Sequence, residues 1–239
     1  MSEVARVLAV QHGVNGGPGR FGEWLSEAGV EVDVVAAFDG AVPPSRLAHD
    51  GLLVLGGGYM PDDDERAPWL PATRSLVSQA LTRSVPMFGV CLGGQMLAAV
   101  AGGKVRADAG APEHGSTPVG VRAEAAGDPL FRGLPAVVPA IEHHVDAITA
   151  LPSAAVWLAE TARCPYQAFR VGHRAWGVQF HPEVTPERIL QWDAGPLLEQ
   201  GFDREELYAA AVADQEAATA AWRTVATRFA AIVLGATGR

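Results

Sequence analysis

The stretch Phe88-Gly89-Val90-Cys91-Leu92-Gly93-Gly94-Gln95 decides the fold of this chain, because it places a cysteine in a glycine-flanked turn. The apolar run from Val85 to Val90 predicts a buried strand, and the segment from Gln95 to Val100 is typical of a helix. Glycines on both sides of a nucleophile permit a sharp strand-to-helix turn that raises the side chain above the end of a sheet. An isolated thiol is more often a small core residue, but this turn favours a nucleophile.

A second motif, His181-Pro182-Glu183, supplies the groups that such a thiol needs. The run Gly177-Val178-Gln179-Phe180 predicts a buried strand that ends just before His181, and Pro182 interrupts the strand pairing. His181 can accept the thiol proton, while Glu183 can orient the imidazole and stabilise its charged form. A histidine at a strand end is more often structural, so only its combination with Cys91 and Glu183 favours a triad.

The two motifs together resemble those of the class I (triad) glutamine amidotransferases, whose pattern is G-x-C-x-G-x-Q followed by H-P-E. The separation of 90 residues between Cys91 and His181 agrees with that family. Leu53-Val54-Leu55-Gly56-Gly57-Gly58 resembles the family's apolar strand and oxyanion turn. Pro68-Trp69-Leu70 and Gln167-Ala168-Phe169-Arg170 are similar to the stand-alone, GMP synthase-like glutaminase branch, so the resemblance extends over nearly the whole chain.

The resemblance implies a reaction through a γ-glutamyl thioester. Cys91 would attack the γ-carbonyl of glutamine and release ammonia, and His181 would transfer the proton and later activate water. Glu183 would orient His181. Backbone N–H groups of Gly57 and Leu92 would stabilise the negative charge on the carbonyl oxygen.

The resemblance also implies three substrate-binding residues. Gly58 belongs to the oxyanion turn, and Gln95 would shape the glutamine pocket from the first turn of the helix. His144-Val145-Asp146 stands where relatives have H-G-D, so His144 would contact the amino-acid end of the substrate.

Short apolar runs alternate with helical patterns in the first half of the chain. Val4 to Val10, Val30 to Phe38, Leu52 to Leu55 and Val85 to Val90 predict buried strands of a parallel sheet with helices on both faces. Shorter runs with crowded turn signals, from about Gly115 to His181, predict added antiparallel strands. We therefore expect an α/β protein: a single-domain, flavodoxin-like, three-layer α/β/α fold with a mostly parallel central sheet.

The predicted domain covers residues 1–239, with a core of about 1–190 and a C-terminal helical extension of about 191–239. In the extension, a helix is expected to begin at Asp203, with Glu206 as its capping-box partner, and to end at Gly235. One stripe of that helix is predicted to pack in the core, namely Trp222, Val225, Phe229 and Ile232.

Composition narrows the partners and the compartment. With 239 residues and 49% hydrophobic residues, the chain can fill a sizeable core. A net charge of −9 argues against nucleic acid as a partner, and no apolar run approaches the roughly 20 residues of a membrane span. Two cysteines, Cys91 and Cys164, are too few for a disulfide framework, so we expect a reducing, cytoplasmic location.

Two further signals are discounted, so that no cofactor and no metal is expected. Residues 17–22 satisfy G-x-G-x-x-G, with Asp39 downstream, but the first glycine lies too far behind the strand and Pro18 stiffens the loop. Glu142, His144 and Asp146 alternate onto one face of an extended segment and resemble metal ligands. Nothing in the sequence supplies an outer partner for them.

Three functions remain open. The first is a glutaminase that passes ammonia to a separate synthetase, as the resemblance implies. The second is a γ-glutamyl peptidase or hydrolase, because the same thioester chemistry cleaves γ-glutamyl compounds such as glutathione. The third is a non-catalytic or redox-sensing thiol domain. The partner is thus glutamine or another γ-glutamyl small molecule.

Overall fold

Buried apolar runs form the centre of one large sheet in a computed structural model that describes residues 4–237. The strands are β1 (Arg6–Gln11), β2 (Glu31–Ala36), β3 (Gly51–Val54), β4 (Met87–Val90), β5 (Lys104–Arg106), β6 (Glu113–Val121), β7 (Val137–His144), β8 (Ala147–Ala150), β9 (Ala155–Glu160), β10 (Ala168–Val171) and β11 (Ala175–Val178). The α-helices are α1 (Gly19–Glu27), α2 (Leu70–Arg83), α3 (Leu92–Val100), α4 (Ala194–Glu199) and α5 (Arg204–Thr237), and short 3-10 helices cover Ala37–Asp39, Ala123–Gly127 and Pro186–Gln191.

The large sheet has a parallel half and an antiparallel half. Its strand order is β2-β1-β3-β4-β11-β10-β9-β6-β7, and the pairs from β2 to β11 are parallel, whereas those from β11 to β7 are antiparallel. β5 and β8 form a separate antiparallel pair. The carboxyl ends of the parallel strands meet at one edge, which is where ligands bind in open α/β sheets.

Helices cover both faces of the sheet, as the three-layer prediction requires. On one face, Phe21 of α1 and Phe229 of α5 pack in a common core with Phe88. On the other face, Leu76 of α2 and Met96 of α3 belong to a second core. The predicted single-domain α/β fold with added antiparallel strands is therefore confirmed.

The predicted strand ends differ from the observed ones for identifiable reasons. β4 begins at Met87, because the N–H of Val85 donates to the Ala80 carbonyl of the preceding helix and Pro86 has no N–H. The strand predicted over residues 177–180 is β11 and ends at Val178. Gln179 instead donates its N–H to the carbonyl of Gln167.

The C-terminal helix α5 packs its predicted stripe into the core. Trp222, Val225 and Phe229 are buried, and Ile232 is partly buried against them. The carboxylate of Asp203 accepts the N–H groups of Glu205 and Glu206, as an N-cap does. The expected end at Gly235 is wrong, since the helix continues to Thr237 and a lone glycine near a helix end costs only about 1 kcal/mol.

Residues 1–3 and 238–239 of the predicted range lie outside the described residues. The division into a core of about 1–190 and an extension of about 191–239 stays a prediction. Among residues 4–237, no helix combines the length and the apolar character that crossing a membrane requires.

Candidate active site

The cysteine of the glycine-rich turn lies at the junction of β4 and α3 in a strained conformation. Cys91 has φ 50° and ψ −108°, which costs a non-glycine residue about 1–3 kcal/mol. Its N–H donates to the Val178 carbonyl at 2.8 Å, and its carbonyl accepts the Gln95 N–H at 2.9 Å. A Cβ at Gly93 would overlap the Val54 carbonyl, so only glycine lets α3 start this close to β3.

The structure brings His181 and Glu183 to the same place. Nδ1 of His181 lies 2.7 Å from Oε1 of Glu183, and the two side chains are 16% and 4% exposed. Gly56 shows that the imidazole and the cysteine are neighbours: a Cβ built there would lie 2.9 Å from Cε1 of His181 and 3.5 Å from Cβ of Cys91. Since Nδ1 faces Glu183, Nε2 is the nitrogen left for the thiol.

The charge state of His181 follows from these neighbours. Burial by itself lowers the pKa of His181. The negative charges of Glu183 and Cys91, and hydrogen bonds to both side chains, outweigh burial and raise this pKa well above 6.5. The imidazole is therefore poised to hold the proton taken from a thiol.

Residues 182 and 183, which follow His181, are hydrogen-bonded to the start of α1. The carbonyls of Pro182 and Glu183 accept the Nε–H and the backbone N–H of Arg20, both at 3.0 Å. Gly19 has φ +45°, and a Cβ there would overlap the Glu183 carbonyl. Residues 17–22 thus hold residues 182 and 183 in place. The backbone N–H of Arg20, which at a helix start could bind a phosphate, is already hydrogen-bonded to the Glu183 carbonyl.

The two predicted oxyanion donors lie next to each other. Leu92 opens α3, so its N–H has no acceptor within the helix. A Cβ at Gly57 would lie 3.0 Å from Cδ2 of Leu92, which places the glycine turn against the start of α3. Within residues 4–237, no hydrogen bond engages the N–H of Gly57 or of Leu92.

His12 packs against the glycine turn. It was not predicted as a site residue from the sequence. A Cβ at Gly57 would lie 2.8 Å from Cβ of His12, which is 1% exposed. The indole N–H of Trp69 donates to Nδ1 of His12 at 2.9 Å, so the ring proton is on Nε2. Burial lowers the pKa of His12 to about 4, and the ring is therefore neutral.

These groups open onto one cavity of about 370 Å³, which lies in the usual range of roughly 300–1,000 Å³ for small-molecule sites. Cys91, Gly57 and His181 form its floor. The 3-10 helix Pro186–Gln191, which follows the triad in the sequence, contributes Arg188 and Gln191 to the outer wall of the cavity. The cavity is lined by Gly13, Gly16, Gly56, Gly57, Gly58, Cys91, His143, His181, Glu183, Arg188, Gln191 and Trp192, among others.

Two of the predicted substrate-binding residues lie away from this cavity. Gln95 is 2% exposed, and its Nε2 donates to Oε1 of Gln179 at 3.2 Å and to the Asp146 carbonyl at 3.1 Å. Gln179 in turn donates from Nε2 to Sγ of Cys91 at 3.5 Å. Gln95 therefore lies behind the cysteine, in a helix whose residues 92–98 are all buried.

His144 is also turned away, and its neighbour His143 takes its place at the cavity. His144 is buried beside Glu113 and Glu142, with which Nε2 forms contacts of 3.2 and 3.3 Å. Because side chains alternate along β7, the ring of His143 emerges on the opposite side and stacks on Trp192 with 4.1 Å between ring centroids. The alternation of residues 142–144 is the signal from which this wall residue was predictable.

Comparisons with known proteins point to one family. Residues 22–190 match the family model for "Glutamine amidotransferase class-I". A glutamine-hydrolyzing GMP synthase subunit from Thermoplasma volcanium is 37% identical over 175 residues, which cover 71% of this chain and 80% of that protein. A GMP synthase from Aliivibrio fischeri is 39% identical over 134 residues, which cover 56% of this chain and only 24% of that protein.

The fold has a close counterpart among solved structures. A glutamine amidotransferase from Thermotoga maritima superposes with a TM-score of 0.84, over 95% of this chain and 99% of that one, at 24% identity. That level of identity establishes the fold alone, whereas the family model covers well over half of the sequence. The chain therefore belongs to the class I glutamine amidotransferase family.

Proposed function

We propose that this protein hydrolyses the γ-amide of glutamine to glutamate and ammonia through a thioester on Cys91. One observation carries the proposal. A strained cysteine, the His181–Glu183 pair and Gly57 line a single cavity, and the backbone N–H groups of Gly57 and of Leu92, which follows the cysteine, have no acceptor in the described chain. These are the nucleophile, the oriented base and the oxyanion donors that acyl transfer needs. Relatives whose names include "glutamine-hydrolyzing" support the choice of substrate.

In the first half-reaction, Sγ of Cys91 attacks the γ-carbonyl carbon, and its proton is held on Nε2 of His181. The carbonyl oxygen becomes an oxyanion that accepts the N–H groups of Gly57 and Leu92. Collapse of this intermediate breaks the C–N bond, and His181 returns the proton to the leaving ammonia. Loss of one such backbone donor typically costs about 100- to 1,000-fold in turnover.

In the second half-reaction, water attacks the thioester, and His181 takes a proton from it. Collapse then releases glutamate and restores the thiol of Cys91. Glu183 accepts the Nδ1–H of His181 throughout, which keeps Nε2 towards the sulfur and stabilises the charged ring. The reaction needs no oxidant or reductant, because only an amide and a water exchange groups.

The substrate-binding assignments divide into two kinds. Gly58 lies in the cavity wall and is proposed to contact the substrate directly. Gln95 and His144 are proposed to act as positioning residues, because their side chains are buried behind the site. Gln95 holds Gln179 against the sulfur, and His144 holds the strand that presents His143.

The ammonia is proposed to serve a separate synthetase. The chain spans about a quarter of the length of the first GMP synthases that it matches, 24% in Aliivibrio fischeri. It spans 80% of the Thermoplasma volcanium relative, which is named as one subunit of a GMP synthase. A partner protein is the simplest acceptor for a chain that matches such a subunit over most of its length.

A γ-glutamyl peptidase or hydrolase is the second candidate, and the outer wall of the cavity favours it. Arg188 lines this wall, and within residues 4–237 its guanidinium forms no ion pair or hydrogen bond. A γ-glutamyl peptide carries a carboxylate beyond the scissile bond that glutamine lacks. An unpaired guanidinium is well suited to bind a carboxylate.

The test is to supply the purified protein with glutamine, a γ-glutamyl dipeptide and glutathione in parallel, while ammonia and amino acids are measured. Release of ammonia and glutamate from glutamine, lost in Cys91→Ser, is the result expected. Cleavage of the peptides with no glutaminase activity, even with a synthetase present, would favour the peptidase. Turnover that survives in Cys91→Ser would refute both candidates.

A further inference from the structure

A second group of buried side chains lies apart from the cavity, where the start of β6, the end of β7 and the loop after β9 meet. It consists of Glu113, Glu142, His144 and Cys164. Glu142 is fully buried, and Glu113 and Cys164 are 3% and 2% exposed. Ligand atoms of Glu113, His144 and Cys164 all lie within 4.8 Å of one another.

The imidazole of His144 points between two carboxylates rather than at either one. Nε2 lies 3.2 Å from Oε2 of Glu113 and 3.3 Å from Oε2 of Glu142. Neither contact has the direction of a hydrogen bond, so Nε2 and both oxygens of Glu142 have no hydrogen-bond partner among the described residues. In a tetrahedral site with bonds of about 2.0–2.1 Å, ligand atoms lie about 3.3 Å apart. The two contacts have this spacing.

The donor atoms are held from outside, as the ligands of metal sites are. Nδ1 of His144 lies 3.1 Å from the carbonyl of Asp146, so Nε2 is the nitrogen that can bind a metal ion once its proton is lost. Thr161 donates to Oε1 of Glu113 at 2.7 Å, and Gln167 donates to Oε2 at 2.8 Å. His144 and Glu113 thus have outer partners, whereas both carboxylate oxygens of Glu142 have none among the described residues.

The ligand set also differs from the one considered in the sequence. The carboxylate of Asp146 accepts the N–H of Asp108 at 3.1 Å and does not join the group. Glu113 and Cys164 take its place, because β6 pairs with β7 and brings Glu113 opposite His144.

Two carboxylates in a dry site require a cation nearby. Burial lowers the pKa of His144, but Glu113 and Glu142 raise it to about 10, and burial together with the same carboxylates raises the pKa of the Cys164 thiol. Protonated His144 supplies one positive charge, and a divalent cation that displaces the protons of His144 and Cys164 would take its place.

We propose that Glu113, His144 and Cys164 bind one divalent transition-metal ion of the Zn²⁺ type, with the buried carboxylate of Glu142 beside them. Zn²⁺ accepts sulfur, imidazole nitrogen and carboxylate oxygen in tetrahedral sites, whereas Mg²⁺ and Ca²⁺ prefer oxygen alone. Coordination requires the thiolate and the neutral imidazole, so binding releases the protons of Cys164 and His144 to solvent and changes no oxidation state. The site stabilises the junction of β6, β7 and the loop after β9, and it does not depend on the proposed glutamine hydrolysis.

Cobalt(II) is the probe that tests this site, because a cobalt–thiolate bond gives a near-ultraviolet charge-transfer band. The full chain is stripped with a chelator and titrated with Co²⁺, and Zn²⁺ is then added to displace it. We expect one Co²⁺ per chain, the thiolate band, and a rise in Tm of roughly 5–10 °C at a metal concentration 100 times Kd.

The two cysteines of the chain give a matched pair of variants. Cys91→Ser should keep the band, and Cys164→Ser should lose it with its far-ultraviolet circular dichroism unchanged. If Cys164→Ser fails to fold, Glu142→Gln serves instead: Co²⁺ affinity should fall roughly 10- to 100-fold while the band remains. No Co²⁺ or Zn²⁺ binding by the wild type, or a band lost only in Cys91→Ser, would overturn the proposal.

Discussion

Two clusters of cysteine, histidine and glutamate side chains occur in this protein, and they differ in backbone and access rather than in residue type. Cys91 has a positive φ, faces the cavity and has His181 and Glu183 beside it. Cys164 is buried away from the cavity with His144 and Glu113. A catalytic triad is therefore defined by a strained turn, free backbone N–H groups and space for substrate. The side chains alone do not define it.

Removal of the thiol is the strongest test of this difference. Cys91→Ala should lower turnover of glutamine by at least about 10,000-fold, because no other group can form the thioester. Cys164→Ala should change turnover by less than about tenfold, since its effect is on packing. Ammonia release by both purified variants measures this. Equal losses would mean that the two clusters act together.

Replacement of Glu183 is the next test. Glu183 orients the base His181, whereas Glu113 in the other cluster does not orient a catalytic base. Glu183→Gln keeps the size of the side chain but removes its charge, so turnover should fall by roughly 100- to 1,000-fold. Glu113→Gln should leave the chemical step nearly unchanged. Single-turnover release of ammonia separates chemistry from binding, and a loss confined to KM would contradict the role of Glu183.

The Glu183→Gln variant also tests how the stability of the protein depends on pH. The folded-state pKa of His181 is raised well above 6.5, so the stabilisation of the charged ring is complete below pH 6.5 and is lost as the pH rises through the folded pKa. The excess stability of the wild type over Glu183→Gln should therefore be larger at pH 6 than at pH 9. A gap in Tm that widens with pH would show that His181 is not charged in the folded protein.

Disruption of the contact between residues 182–183 and α1 should have a smaller effect, on the stability of the protein. Gly19→Ala places a Cβ against the Glu183 carbonyl at φ +45°, so we expect a loss of about 3 kcal/mol in the free energy of unfolding. Gly172, at φ +60° with nothing within 4 Å of an added Cβ, is the matched control. Gly172→Ala should cost only about 1 kcal/mol. Equal costs in urea unfolding would refute the docking role of Gly19.

Gln179 links the two clusters and should give the smallest effect. Its side chain bonds Cys91 and Gln95, and its N–H donates to Gln167, which bonds Glu113. Gln179→Met should cost about 1–2 kcal/mol of stability, because the Gln95 amide loses an acceptor. Gln215→Met, at a partly exposed position of α5, should be neutral. No difference between these variants in chemical denaturation would remove the link.

The parallel half of the sheet was predictable from sequence because its information is local. The glycines around Cys91 act on their own neighbours, so they predicted the turn directly, whereas the strand expected to end at Phe180 ends at Val178. The antiparallel half depends on strand register. The pairing of Glu113 with His144, and the stacking of His143 on Trp192, join residues far apart in the chain. Gln95 was predicted at the cavity because one helical turn does not reveal which side is buried.

Labelling with an electrophilic diazoketone analogue of glutamine tests the central claim most directly, because such a reagent alkylates only a thiol that is activated beside a glutamine pocket. Mass spectrometry of the digested protein should find one label, on Cys91, with glutamine protecting against it and Cys164 unmodified. A label on Cys164, or none on Cys91 in a preparation that hydrolyses glutamine, would contradict the account.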